Sequence, residues 1–317
     1  DPGSSQFYVS LEDDLMRLFG SERIMKLMDR MGIEEGEVIQ HSMITSSIER
    51  AQRKVEENNF GIRKRLIEYD DVMNAQREVI YTRRRHAIFG ERLSIDINNM
   101  LYDTCESIVQ QFQESRDYEG LKLDLVRILS IECPVSEQEF LNGKSEAITD
   151  KVFAEAQRYY RHKSQLMIDR TWPFINDVFT NQSATIQNIV VPFSDGMKGI
   201  QVIANLRKSH DSHGRELISA FERTIISALI DDAWKEHLRE MDDLKTSVQN
   251  AVYEQKDPLL IYKFESFELF KRMVTETNRD IISFLFKAVI PQQDPNQVRE
   301  AKPQPRQDLR NVQTSKA

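Results

Sequence analysis

The chain has 317 residues, a formal charge of -8 and 40% hydrophobic residues, enough to build cores of ordinary size in two or three modules. Its acidic balance argues against a general nucleic-acid binder, because phosphate contact needs clustered Lys and Arg on a net basic surface. Two cysteines, Cys105 and Cys133, exclude a disulfide framework or a four-cysteine metal site and point to a reducing, cytoplasmic setting, and no apolar run reaches the ~20 residues that span a bilayer.

The chain opens Asp1-Pro2-Gly3-Ser4-Ser5 with neither an initiator methionine nor a charged-then-apolar leader, and reads as a piece cut from something longer. Residues 5–10 alternate, with Phe7 and Val9 on one side and Gln6 and Tyr8 on the other. That period predicts a strand, and a lone strand needs a partner to satisfy its backbone groups. Two short helices follow over residues 10–20 and 21–32, each opened by a serine and closed by a glycine.

From residue 42 to 89 there is no proline and one glycine, Gly61, while apolar residues recur at alternating spacings of three and four: Ile44, Ile48, Ala51, Val55, Ile62, Leu66, Tyr69, Met73, Ile80, Ala87. The pattern predicts one helix extending roughly 70 Å, the length of a spine that bridges modules. Asn58, Asn59 and Gln76 break its seam, which argues against a regular coiled coil. Residues 93–220 form a separate lobe, with helices near 97–112 and 145–176 and turn-rich segments near Gly120 and Asn142-Gly143. Within it, β-rich runs at 186–193 and 199–206 flank Ser194-Asp195-Gly196, and Asp-Gly between such runs predicts a hairpin.

Two further helices, 221–249 and 258–288, match as an antiparallel pair. The first presents Ile226, Leu229, Ala233, His237, Met241, Leu244 and Val248 on one face, and the second presents Phe267, Phe270, Val274, Thr277, Ile281, Phe284 and Ala288. Asp257-Pro258 starts the second helix, with Asp as the cap and Pro where its missing N–H costs nothing, so the connecting loop falls at 250–256. Residues 291–317 hold four of the nine prolines and six glutamines and are expected to be a disordered linker. The fold class is therefore mainly α, with a long scaffold helix, a helical lobe carrying a small hairpin, and a two-helix finger.

No familiar phosphate loop, zinc-protease helix, nucleophile elbow or dinucleotide fingerprint occurs. His210 and His213 sit beside Asp211 with no further ligand nearby, too few for a metal site. Glu68, Asp70 and Asp71 on the long helix read as a charged solvated face, as do the basic runs Arg63-Lys64-Arg65 and Arg83-Arg84-Arg85.

Two strings are more specific. One is Trp234-Lys235-Glu236-His237-Leu238 with Met241-Asp242, Tyr253, Gln255-Lys256-Asp257-Pro258 and Tyr262-Lys263. The other, on the long helix, is Arg53-Lys54-Val55-Glu56, Asn59-Phe60, Ile62-Arg63-Lys64 and Glu68-Tyr69-Asp70-Asp71-Val72-Met73-Asn74, with Gln76-Arg77 and Ile80-Tyr81. Together with the opening Asp1 to Ser5 and Phe7-Tyr8, they resemble the SecA protein-translocation ATPase family over about residues 1–290.

The resemblance implies a division into the tail of a second nucleotide-binding motor domain (1–38), the long helix of a helical scaffold (39–92), a helical wing (93–220), a two-helix finger with the end of the scaffold (221–290) and a linker (291–317). It implies a bacterial motor, cytoplasmic and peripheral on the inner membrane, that uses ATP and Mg to push unfolded preproteins through the SecYEG channel. The implied partners are that channel, the preprotein chain and an anionic membrane surface, with a homodimer left open and no nucleic acid. By the same resemblance, Asp1 contacts nucleotide together with the upstream motor domain, and Tyr253 sits at the fingertip against the moving chain. No catalytic residue and no metal site are expected here, and this stretch alone is not expected to hydrolyse ATP, since the ATP loop lies outside it.

Three features depart from the family pattern. Ala251 stands where many members carry Arg, a hairpin is expected inside a wing that should be largely helical, and no cysteine-rich zinc motif occurs in 291–317, so zinc-dependent binding of the SecB chaperone or lipid is not assigned. The alternative reading is a helical scaffold that binds a fixed protein partner without any motor.

Overall fold

The computed structural model describes residues 2–4, 42–90, 92–182, 185–248 and 257–291. The expected strand at 5–10, the two short helices after it, the 250–256 loop and the proline-rich tail lie outside the described residues. By close contact the chain divides into residues 1–75 and residues 76–317.

The described residues form eight α-helices, a π-helical turn and one two-stranded antiparallel sheet. Helix α1 spans Ser42–Phe89, the limits that its unbroken three-and-four spacing predicts. Within the first unit Ala51 is buried, whereas Phe60, Ile62, Leu66 and Ile67 stand exposed, so the expected apolar seam is open along that stretch. Asp70 and Asp71 are exposed, as are Arg63, Lys64 and Arg65.

The second unit begins at Gln76. Helix α2 (Leu93–Ser115) packs against α5 (Ser145–Gln182), with α3 (Tyr118–Asp124), a π turn (Leu125–Leu129) and α4 (Glu137–Asn142) between them in sequence. This lobe closes over Cys105, Val109, Leu121, Leu125, Leu129 and Phe140, all fully buried. The turn expected near Gly120 falls at Arg116 and Asp117, just before α3, and Gly120 lies in the first turn of that helix. The Asp117 side chain caps that helix by accepting from the Gly120 N–H at 2.9 Å, and a Cβ at Gly120 would stand 2.3 Å from the same carboxylate. Only glycine leaves room for that cap.

The hairpin forms where the alternation predicts it. Strands β1 (Asn188–Ser194) and β2 (Gly199–Asn205) pair from Asn188 with Asn205 to Ser194 with Gly199, and Ile189, Val191 and Phe193 point inward. In the turn, Asp195 Oδ1 accepts from the N–H groups of Met197 and Lys198 at 2.9 and 2.7 Å, while Gly196 takes φ +92°. Burial pushes the Asp195 carboxyl up, yet the N–H groups of Lys198 and Met197 outweigh it and hold the pKa below its ordinary value.

A short helix, α6 (Leu206–Asp211), leads into α7 (Arg215–Ser247), and α8 (Pro258–Lys287) follows. Helix α7 starts six residues before the expected position, because Gly214, at φ +85°, makes the turn there. Past the end of α8, Val289 donates to Ser194 O at 2.8 Å and accepts from Ser194 N–H at 2.9 Å, which ties the hairpin to the end of that helix. On the other side Lys163 of α5 donates to the carbonyls of Leu285, at 3.0 Å, and Phe286, in the last turn of α8, where a cation suits the negative end of the helix dipole.

Candidate functional site

The two residues expected to contact ligand, Asp1 and Tyr253, lie outside the described residues. What the structure describes is the pair of helices on either side of Tyr253 and the way they are anchored.

Helices α7 and α8 pack on each other along their length. Phe221 meets Phe284 with centroids 6.1 Å apart, His237 meets Phe270 at 5.7 Å, and Glu240 pairs with Arg272 at 2.9 Å. Partner numbers fall on α8 as they rise on α7, so the two run antiparallel, as the sequence pattern predicts. At the start of α8 the Asp257 side chain accepts from the Leu259 N–H at 2.9 Å and Pro258 occupies the first helical turn, as the Asp-Pro pair predicts.

The buried stripes differ in detail from the expected ones. On α7 they run through Ile226, Ile230, Trp234, His237 and Met241, and on α8 through Tyr262, Ser266, Met273, Thr277 and Ile281. Phe267, expected on the packed face, is 61% exposed. It belongs to a second stripe with Leu260 and Phe264, spaced four and three apart and turned outward near the start of α8. Periodicity alone does not choose between two apolar stripes on one helix, and Ser266, polar by type, was not legible as core, whereas Thr277 is buried as its stripe predicts.

The string Trp234 to Met241 splits by face. Trp234, His237 and Met241 are buried, while Lys235 pairs with Asp232 at 3.2 Å and Glu236 with Arg239 at 2.7 Å on the outer surface. Three polar contacts then fasten these helices to the 76–89 portion of α1. Arg84 forms two parallel hydrogen bonds to Asp231, Arg83 donates to Asn278 Oδ1 at 3.3 Å, and Gln76 bridges α7 and α8. The run Arg83-Arg84-Arg85 is therefore not the solvated face that charge patterning suggests: two of its members bind the helix pair, and Arg85 lies over the Phe89 ring.

Gln76, which breaks the apolar seam, is 7% exposed and bonded at both ends of its amide. Its Nε2 donates to Ser266 O at 3.1 Å, and its Oε1 lies 2.8 Å from His237 Nε2. A carbonyl only accepts, so the amide nitrogen must face Ser266 and the amide oxygen must face His237. The proton of the imidazole is thereby placed on Nε2. Nδ1 is left as an unprotonated, buried atom with no partner, and burial pushes the His237 pKa below its ordinary value. In this arrangement the imidazole donates to Gln76 through Nε2. A small pocket of about 90 Å³ lies where α1, α2, α7 and α8 meet, lined by Ile80, Ala87, Met100, Ile226, Met273 and Ile281 among others.

Elsewhere, His210 lies at the end of α6 with its ring stacked on Phe179 at 3.9 Å and on Trp172 at 5.5 Å, and His213 stacks on Trp172 at 4.8 Å. Among the described residues no group of three His, Cys, Asp or Glu side chains is placed to hold a metal ion, and no helix is long and apolar enough to cross a membrane. Cys105 and Cys133 are free, and burial pushes the Cys105 thiol up to about 12.

Residues 38–289 match the family model described as the SecA wing and scaffold domain, and residues 1–36 match that of the SecA P-loop domain. The chain is similar to the protein translocase subunit SecA of Christiangramia forsetii, at 57% identity over 95% of this chain and 27% of the relative. It is similar to the same subunit of Flavobacterium psychrophilum, at 56% over 95% and 27%, and of Cytophaga hutchinsonii, at 54% over 99% and 28%. It thus spans a little over a quarter of the length of the curated relatives it matches. With a family model covering most of its length, and with signature residues that meet at the junction of α1, α7 and α8, the chain belongs to the SecA family.

Proposed function

We propose that this chain is the scaffold, wing and finger region of a preprotein translocase, which passes movement driven by ATP hydrolysis elsewhere in the motor to an unfolded secretory protein entering the SecYEG channel. The observation that carries the reading is the antiparallel α7/α8 pair anchored to α1. A helix pair held to α1 through Asp231, His237, Ser266 and Asn278 moves as a unit, and two packed helices resist bending far better than a loop would. The contacts Phe221–Phe284 and His237–Phe270 are each spaced almost evenly about position 253 in the sequence. That spacing supports Tyr253 as the residue offered to the passing chain, where an aromatic ring gives apolar contact tolerant of sequence.

Asp1, within the segment matching the P-loop domain, is assigned to nucleotide contact, with ATP and Mg held by the motor domains. The division into motor tail (1–38), scaffold helix (39–92), wing (93–220) and finger (221–290) follows the same reading, with the first finger helix extended back to Arg215. An anionic lipid surface on the cytoplasmic face of the inner membrane completes the proposed partners.

The test places a photo-crosslinker at position 253 in the full-length protein during transport of a secretory chain. Labelling of the chain in transit is expected. Labelling confined to one fixed partner, unchanged by ATP, would overturn the proposal and favour a static adaptor.

A further inference from the structure

Gln76 is one side chain touching three helices. It sits on α1, accepts from His237 of α7 and donates to the backbone of Ser266 on α8, 161 and 190 residues away in sequence. All three sites are closed to water: His237 is 1% exposed and Ser266 fully buried. The imidazole ring is flanked by Trp234, at 5.5 Å, and Phe270, at 5.7 Å. The nearest charges, Glu240 on α7 and Arg272 on α8, pair with each other at 2.9 Å.

Apolar stripes alone do not fix how helices sit on one another, because ridges repeat every three or four residues and a shift of one turn finds similar grooves. A buried polar group behaves differently. Displacing it by one turn leaves a donor and an acceptor unpaired away from water, which is why single buried amides set register in packed helices.

We infer that Gln76 and His237 are positioning residues that fix the register of the α7/α8 pair on α1, so that movement of α1 turns the pair as one body instead of being lost in slippage. The contact needs the amide oxygen toward His237 and the Nε2–H form of the imidazole. This inference rests on the transport reading above and adds to it the joint through which the force passes.

The test uses the full-length protein with preprotein and membrane vesicles carrying the channel, and reads preprotein moved per ATP hydrolysed alongside thermal unfolding. His237→Gln and His237→Met fill similar space, but only the glutamine can donate to Gln76. The expected result is that His237→Gln stays within about twofold of the parent in preprotein moved per ATP, while His237→Met falls by about fivefold or more. A double variant, Gln76→Leu with His237→Phe, removes both polar groups. It is expected to regain thermal stability lost by Gln76→Leu alone and yet to stay uncoupled. Equal coupling in His237→Gln and His237→Met would overturn the inference, as would parental coupling in the double variant. Nitrogen NMR adds a readout of its own: a hydrogen-bonded Nε2–H imidazole is expected, and the Nδ1–H form would overturn the assignment. If the parent itself moves no preprotein, it is the transport reading that fails, and the NMR result still decides the geometry.

Discussion

Arg84 on α1 and Asp231 on α7 form a two-pronged ion pair, with Nε 2.6 Å from one carboxylate oxygen and an Nη 3.1 Å from the other. Both side chains are partly exposed, and the hydrogen bond and charge of Asp231 raise the Arg84 pKa further above its ordinary value. Solvent screening keeps such a pair weak despite its geometry. A double-mutant cycle of Arg84→Met and Asp231→Asn should give a coupling of about 0.5–1 kcal/mol, smaller in high salt. Unfolding in urea at two salt concentrations checks it, and a salt-independent coupling would contradict the assignment.

Aromatic packing joins the hairpin to α7. Phe221 and Phe193 are both fully buried and stack with centroids 4.2 Å apart and planes 12° from parallel. Phe221→Ala should destabilise by about 3–5 kcal/mol through lost contact and an unfilled cavity. Equilibrium denaturation measures it. A loss well below that range would mean the hairpin collapses onto α8 without this ring.

Lys163 gives the unit a titratable tie above neutral pH. Burial pushes its ammonium down to about 7 from 10.5, although the two carbonyls at the end of α8 favour the charged form. Between pH 7 and 10.5 the unfolded chain keeps a proton that the folded chain has released, so this group makes stability rise with pH across that window. Lys163→Met should remove that rise. Melting temperatures of parent and variant, compared from neutral to alkaline pH, should diverge in slope.

His237 acts on the acid side. Burial lowers its pKa below 6.5, so the unfolded chain takes up a proton before the folded chain does. Its contribution is complete above the unfolded value, declines as pH falls below 6.5, and levels off once the folded imidazole is itself protonated. His237→Gln should make the acid-side loss of stability shallower, as read by thermal unfolding at a series of mildly acidic pH values.

Gly61 lies inside α1, and a Cβ built there meets no atom within 4 Å. Gly61→Ala should therefore stabilise α1 by about 0.5–1 kcal/mol, by narrowing the backbone freedom of the unfolded chain. Hydrogen exchange at neighbouring amides should slow, and faster exchange would show that the glycine serves close packing instead.

Several elements were legible because their signals are local. The 48-residue helix, the Asp195-Gly196 hairpin and the Asp257-Pro258 helix start each follow from spacing or from the geometry that one or two residues impose. The reading failed where a residue's role depends on distant chain. Gln76 looked like a flaw in a seam, Arg83 and Arg84 like solvated charge, and Phe267 like core. The partners of Gln76, Arg83 and Arg84 lie on α7 and α8, 147 to 195 residues away in sequence, and the exposure of Phe267 depends on which face of α8 is covered.

The order of amino acids alone determined the long helices, the hairpin, the Asp257 cap and the family, because these rest on periodicity, on backbone preferences near Gly, Pro and Asp, and on strings of side chains. Tertiary structure decided which apolar stripe of α8 is covered, which arginines are bound, and that Gln76 orients His237. Burial and hydrogen-bond pairing depend on what packs opposite a residue, and no local pattern contains that information.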